Sequence, residues 1–397
     1  MIRSLSRNII IFLLIINYSK GYGQTSNVAN NSSTIITGDE QINTWLPLLK
    51  GKKVALLINQ TATIGDKLLL DTLIDLHVNI VKVFSPEHGL RGQEDAGAKV
   101  NSSTDSATGI PIISLYGSNK IPTKEQLQNV DILIYDLQDV GVRFYTYIST
   151  LQYAMEACAE NNKAFMILDR PDPNGFYIDG PVLEKSQQSF IGLDPIPIVH
   201  GLTVGEYAKL LNGEKWLAED KICNLKVIPC KNYSHKDKYS LPIKPSPNLP
   251  NDLAIKLYPS VCLFEGTSIS VARGTDFPFQ AIGSPDKNNG SFTFTPKTIE
   301  GVAKNPPFEN QLCYGIDLRK ETVADGLTLK YLIELYKKSS EKEKFFIPFF
   351  DKLAGNSILK EQIKKGMSEN EIKKTWQEEL NHYKTIRKKY LLYPDFY

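Results

Sequence analysis

Little in this 397-residue chain points to a bound metal, a nucleotide or a polyanion. Cysteine is scarce: Cys158, Cys223, Cys230, Cys262 and Cys313 are the five, and none sits in a CxxC pair. That argues against the common thiolate zinc sites. An odd count also leaves at least one thiol unpaired in an exported chain, and buried free thiols are the expected state. No HExxH pair is present for a catalytic zinc, and no GxSxG elbow for an α/β-hydrolase. After the first apolar segment stands Asn59-Gln-Thr-Ala62, not a glycine-rich phosphate loop. A dinucleotide or ATP cofactor is therefore not expected, and neither is any other cofactor. There is no internal repeat and no run of basic residues to follow a nucleic-acid backbone.

Only the N-terminus carries a long apolar run. Arg3 and Arg7 precede Asn8–Ile16, which gives way to the small and polar residues Ser19–Gln24. The run is too short to span a bilayer comfortably, and its flanks match a secretory signal peptide over residues 1–23. No cysteine stands close enough behind it to accept a lipid, so the expected product is a periplasmic or secreted protein without stable membrane insertion. Loss of Arg3, Arg7 and Lys20 leaves 43 basic against 44 acidic side chains, a net charge of −1. Bulk charge then gives no attraction for polyanions. Residues 24–45 are rich in Asn, Ser, Thr and Gly and read as a flexible leader, with order beginning near Trp45.

From there a rhythm sets in. Short apolar runs at 53–58, 79–84, 110–115, 131–135 and 164–168 have the character of buried parallel strands, and 225–228 reads as a sixth. Between them, 66–77 and 146–160 carry apolar residues at helical spacing, and Thr203-Val-Gly-Glu206 is a capping box opening another helix. The alternation predicts a Rossmann-like, doubly wound parallel sheet over 46–250. Past residue 250 the texture changes to Pro, Gly, Phe and Ser, with few clear helices. A strand at 312–318, a helix at 327–338 and a capping box at Ser368–Glu371 come next. Trp376, Leu380, Tyr383, Ile386 and Tyr390 form an apolar face suited to core packing. A smaller C-terminal α/β (α+β) domain is expected over 251–397.

Ligands of open parallel sheets bind beyond the carboxyl ends of the strands. The segments leaving the predicted strands are polar. Ser85-Pro-Glu-His-Gly-Leu-Arg-Gly92 with Asp95 leaves the second, and Tyr116-Gly117 the third. Asp136-Leu-Gln-Asp-Val-Gly-Val-Arg-Phe-Tyr-Thr-Tyr147 leaves the fourth, and Asp169-Arg-Pro-Asp-Pro-Asn-Gly175 the fifth. Carboxylates, arginines, tyrosines and amides are the groups glycoside hydrolysis uses: an acid for the leaving oxygen and a second group for water or the cationic transition state. Glu87, in a turn leaving a buried strand, is the first candidate for acid or base, with His88 beside it and Arg91 as an ion-pair partner. Asp95, Asp136 and Asp139 are candidates for the second catalytic carboxylate.

These segments resemble the exo-β-N-acetylmuramidase family of NamZ-type glycosidases. Further matching stretches are Ser114–Gly117, Gly180-Pro181, Pro195-Ile-Pro197 with His200–Thr203, Pro245–Pro250, Tyr258-Pro259, Phe264–Ser270 and Arg273–Phe279. Departures stand at Asp172 and Ser268, where the family often has Asn. The resemblance implies a Rossmann-like catalytic domain, a smaller C-terminal domain and a cleft between them. It implies release of N-acetylmuramic acid from the non-reducing end of peptidoglycan-derived glycans, with Glu87 as the catalytic glutamate. His200, Asn248, Glu265 and Arg273 would form the far wall, Glu265 rivalling the aspartates as second carboxylate. Gln138, Tyr145, Asp169 and Asn174 are further expected sugar contacts, as are His88 and Arg91. Muramic acid differs from glucosamine by a lactyl ether bearing a carboxylate, which an arginine fork binds well; Arg143, Arg170 and Arg273 are the candidates. Two rival readings are a non-catalytic receptor for cell-wall sugars and a serine esterase or amidase using Ser85 or Ser114.

Overall fold

Val54–Ile58 (β1) is five apolar residues long and fully buried, as a strand covered on both faces must be. The computed structural model describes residues 34–87, 89–91, 103–320 and 325–397. The expected signal peptide, the leader up to residue 33, His88 and Asp95 lie outside them. Around β1 a seven-stranded sheet is built from Ile80–Ser85 (β2), Ser103–Thr104 (β3), Pro111–Ser114 (β4), Ile132–Asp136 (β5), Ala164–Leu168 (β6) and Asn224–Ile228 (β7). Its order is β3-β4-β2-β1-β5-β6-β7, parallel except for the short β3 edge. The chain runs outward from β1 through β2 to β4, then returns to the other side of β1 with β5. That reversal opens a crevice beyond the carboxyl ends of β1, β2 and β5.

Alternate residues of β1 serve two cores. Val54, Leu56 and Ile58 join Trp45 and Leu69, Leu70 and Leu73 of the helix Leu69–Asp75 (α1). Ala55 and Leu57 join the helices Tyr147–Glu160 (α2) and Val204–Gly213 (α3). Thr203 and Glu206 form the expected capping box of α3. This second core continues into the C-terminal half, so the change of texture near residue 250 marks no break in packing: residues 35–397 form one unit. The stripe on the helix Gln377–Arg387 packs there as expected, with Leu380 and Tyr383 buried and Ile386 against them.

The Pro-rich stretch holds two surprises. Asp252–Val261 (α4) is a helix despite Pro259 inside it. Pro259 has no N–H for the carbonyl of Ile255; Asn174 Nδ2 donates to that carbonyl at 3.3 Å and to Val140 O at 2.9 Å. Ala281–Ser284 (β8), Phe292–Phe294 (β9) and the expected strand Cys313–Asp317 (β10) form a small antiparallel sheet ordered β8-β10-β9.

The leader expectation needs correction over residues 35–45. Gly38 N donates to Asp169 O at 2.8 Å, Ile36 bridges Lys231, Asp39 is fully buried, and the Trp45 indole donates to Gly38 O at 3.1 Å. A polar composition concealed backbone pairing and a buried ion pair. All five cysteines are buried and free. Among the described residues no helix is long and apolar enough to cross a membrane.

Candidate active site

Three loops at the sheet crevice are tied together by hydrogen bonds. β2 ends at Ser85, and the turn through Pro86 presents Glu87, half-buried. The loop after β5 ends at Thr146, the N-cap position of α2. Thr146 makes no side-chain cap; its hydroxyl donates instead to Glu87 Oε2 at 3.4 Å. Tyr147 OH lies 3.5 Å from the Glu87 carbonyl as donor and accepts from Asn59 Nδ2 at 2.8 Å. Asn59, after β1, is itself fixed through Oδ1 by Thr61 N at 2.9 Å and Thr61 Oγ1 at 2.6 Å. Burial, then the charge of Glu87, push the Tyr147 pKa up, so its phenol keeps its proton.

A cleft opens over Glu87. Its near wall is Phe144–Tyr147, with Tyr116, Phe190 and Ile191; its far wall comes from Ser246–Leu249, α4, and the segments carrying Glu265, Arg273 and Phe279. Tyr145 joins the walls: its OH donates to Pro245 O at 2.9 Å, and its ring meets Tyr147 and Tyr258 edge-on. Asn248 donates to Val302 O at 2.8 Å, while its buried Oδ1 has no partner. Arg273 Nε donates to Glu265 Oε1 at 2.6 Å, and the guanidinium lies 4.9 Å from the Phe279 ring centre. Burial disfavours the Arg273 charge, but Glu265 more than offsets it and raises the pKa.

Of the residues expected from sequence, Glu87, Tyr145, Asn248, Glu265 and Arg273 line this cleft. His88 and Asp95 lie outside the described residues; of the rest, Arg91 is exposed but lies elsewhere, and the others are buried away from the cleft. Arg143 is fully buried; Nη1 donates to Pro181 O and Ile196 O at 2.9 and 2.7 Å, and Nη2 to Leu353 O and Ala354 O at 3.0 and 2.9 Å. The last two carbonyls end the helix Phe349–Ala354, so Arg143 caps that helix and carries no substrate. Gly355 comes next with φ 86, and a Cβ there would meet the guanidinium at 2.5 Å. Desolvation pulls the Arg143 pKa down to about 9.

Arg170 is likewise internal, bound to Asp136 through Nε (2.5 Å) and Nη2 (3.0 Å) and to Asp39 through Nη2 (3.0 Å). That removes Asp136 as a catalytic carboxylate. Asp139 is buried, accepts from Gly141 N at 2.7 Å and lies 3.6 Å from Nε2 of the buried His200. Gln138 Nε2 is spent on Asp139 O and Pro171 O. Asp169 accepts from Thr203 Oγ1, Gly205 N and Tyr393 OH, which anchors α3 and the C-terminal tail. Burial raises its pKa to about 6, with the Tyr393 and Thr203 bonds opposing the rise. Asn174 is committed to the backbone of α4, and Arg91 pairs with Asp105 at 3.0 Å outside the cleft. Ser85 is fully buried and Ser114 4% exposed, so neither is placed to attack a substrate.

Thr146 and Tyr147 are the main residues that sequence reasoning passed over as site residues. Their signal was present, since both close the polar segment after the fourth strand. Phe190 and Ile191 gave none.

Models for the N-terminal and C-terminal domains of exo-beta-N-acetylmuramidase NamZ match residues 54–253 and 256–393. The chain is 40% identical over 385 residues to the peptidoglycan beta-N-acetylmuramidase NamZ of Bacillus subtilis strain 168, covering 89% of this chain and 90% of that protein. Two crystal structures of DUF1343 family proteins from Bacteroides fragilis are similar. One is 47% identical with a TM-score of 0.86, covering 91% of this chain and all of that one. The other is 30% identical with a TM-score of 0.73, covering 90% and 99%.

Proposed function

Since the chain belongs to the exo-beta-N-acetylmuramidase NamZ family, we propose that it is an exo-acting glycosidase releasing N-acetylmuramic acid from the non-reducing end of peptidoglycan fragments. The observation that carries the reading is the Glu87 carboxyl group at the crevice of the sheet, lining a cleft with aromatic walls on both sides. A carboxyl group there protonates the leaving glycosidic oxygen or activates water, and the Thr146 hydroxyl orients it. Tyrosine and phenylalanine rings offer flat apolar faces to a sugar ring, with hydroxyl and amide groups at their edges. The basic, apolar, then small-residue order of residues 1–24 supports export, so the site of action is the periplasm or beyond the cell.

The test is release of chromophore from a β-N-acetylmuramide by the Glu87→Gln variant. Loss of an acid/base group lowers kcat by about 10²–10⁴-fold with little change in KM. Turnover near that of the unaltered protein removes Glu87 from the mechanism. A wild-type protein that binds muramyl glycans and leaves them intact is a receptor instead.

A further inference from the structure

Among the described residues lining the cleft, Arg273 is the sole Lys, Arg or His. Its setting is that of a fixed donor. Nε is held by Glu265 at 2.6 Å, and Glu265 Oε2 in turn accepts from the Cys262 thiol at 3.5 Å. Phe279 supports the guanidinium from one side. The plane of the group is thus set by a bond at one edge and a ring at one face. Its two Nη atoms make no hydrogen bond to any described residue, and the side chain keeps 22% of its exposure. An arginine in a cavity wall, with only Nε engaged by a protein carboxylate, is suited to bind a planar anion.

The same molecule shows what such an arginine accommodates. Arg170 binds two carboxylates at once, Asp136 and Asp39. Arg273 binds one carboxylate from the protein and has room for a second from elsewhere.

We propose that Arg273, positioned by Glu265, binds the lactyl carboxylate of N-acetylmuramic acid and so selects this sugar over N-acetylglucosamine. The inference rests on the glycosidase reading for the identity of the sugar. It gives Glu265 the role of a positioning residue.

Binding of three ligands tests it: free N-acetylmuramic acid, its lactyl methyl ester, and N-acetylglucosamine. Calorimetry on the unaltered protein is expected to show the acid bound on the order of 10²-fold more tightly than the other two, from two charge-assisted hydrogen bonds. Arg273→Met brings the three within about threefold of each other, and Arg273→Lys, a point charge without the fork, falls between. Glu265→Gln frees the Arg273 plane and lowers the preference by about tenfold. Equal binding of acid and ester by the unaltered protein, or an undiminished preference in Arg273→Met, overturns the proposal. Should the Met variant not fold, the acid-ester comparison on the unaltered protein still decides. Failure of the glycosidase reading shows separately, as absence of sugar release by a protein that still discriminates acid from ester.

Discussion

Arg170 and Arg273 are the same side chain in two settings. Both lie beside carboxylates, and both are raised in pKa because carboxylate charge outweighs the cost of burial. Arg170 is 6% exposed, and Asp136 and Asp39 occupy its Nε and Nη2. Arg273 is 22% exposed, with one carboxylate on Nε and its side chain in the lining of the cleft. The first arginine completes a structure; the second is left incomplete. Both were candidates for the lactyl carboxylate from sequence, Arg170 in the segment leaving a predicted strand and Arg273 in a family-like stretch. The two are separated by how many of their donors the protein itself engages, because most buried donors are satisfied internally and a receptor must keep one free.

The largest effect is expected from Arg170→Met. It leaves Asp136 and Asp39 buried without their cation, which costs about 3–5 kcal/mol. Denaturant unfolding should show the midpoint falling steeply, along with poor recovery of soluble protein. A loss under about 1 kcal/mol would mean the network is an incidental contact, and the contrast with the cleft arginine would fail.

The fold was legible wherever one element could be read by itself. The five strands with continuous apolar runs, the two capping boxes and the stripe on Gln377–Arg387 all announce themselves within a dozen residues. Elements whose support comes from afar were not legible. Helix α4 depends on Asn174, about eighty positions earlier, to serve the carbonyl that Pro259 leaves open. Residues 35–45 look like a tail until Asp39 meets Arg170. The site shows the same division. Glu87 was legible as an acid in the turn leaving a buried strand, and the family resemblance marked Asn248, Glu265 and Arg273. Arg143, Asp169 and His200 sit in motifs just as polar, yet they tie loops and termini together. A short polar motif records that a group must be satisfied, and leaves open whether protein or ligand satisfies it.

Asp172 sharpens the comparison from the opposite side, as a buried carboxylate to which no arginine is bonded. Oδ1 accepts from Asn174 N at 2.8 Å, while Oδ2 is buried without a partner. It also closes against Gly141, whose φ of 74 and lack of a Cβ make room for the carboxyl group. Burial, then repulsion from Asp139, raise its pKa well above the usual carboxylate range. The native state therefore holds a proton that the unfolded chain gives up once pH exceeds about 4. Stability from this group is full below that pH and is lost as pH rises toward the native pKa. Asp172→Asn keeps the Oδ1 acceptor and removes the ionisation, so it should stabilise by about 1–3 kcal/mol at pH 7. Melting temperatures of the two proteins should converge near pH 4. A gain independent of pH, or a loss, would rule out an unpaired buried charge as the cause.

The smallest expected effect on stability belongs to Arg273→Met, and its smallness is required by the comparison. Glu265 is 26% exposed, so water reaches it when the arginine is gone. A part-exposed pair of this kind contributes within about 1 kcal/mol. The methionine keeps an unbranched apolar stem against Phe279, which preserves packing on that wall. Unfolding curves of this variant should therefore nearly overlay those of the unaltered protein, while binding of N-acetylmuramic acid collapses. A collapse in stability comparable to that of Arg170→Met would show Arg273 to be a structural member like the other arginine. The lost ligand preference would then come from a distorted wall instead of a missing receptor.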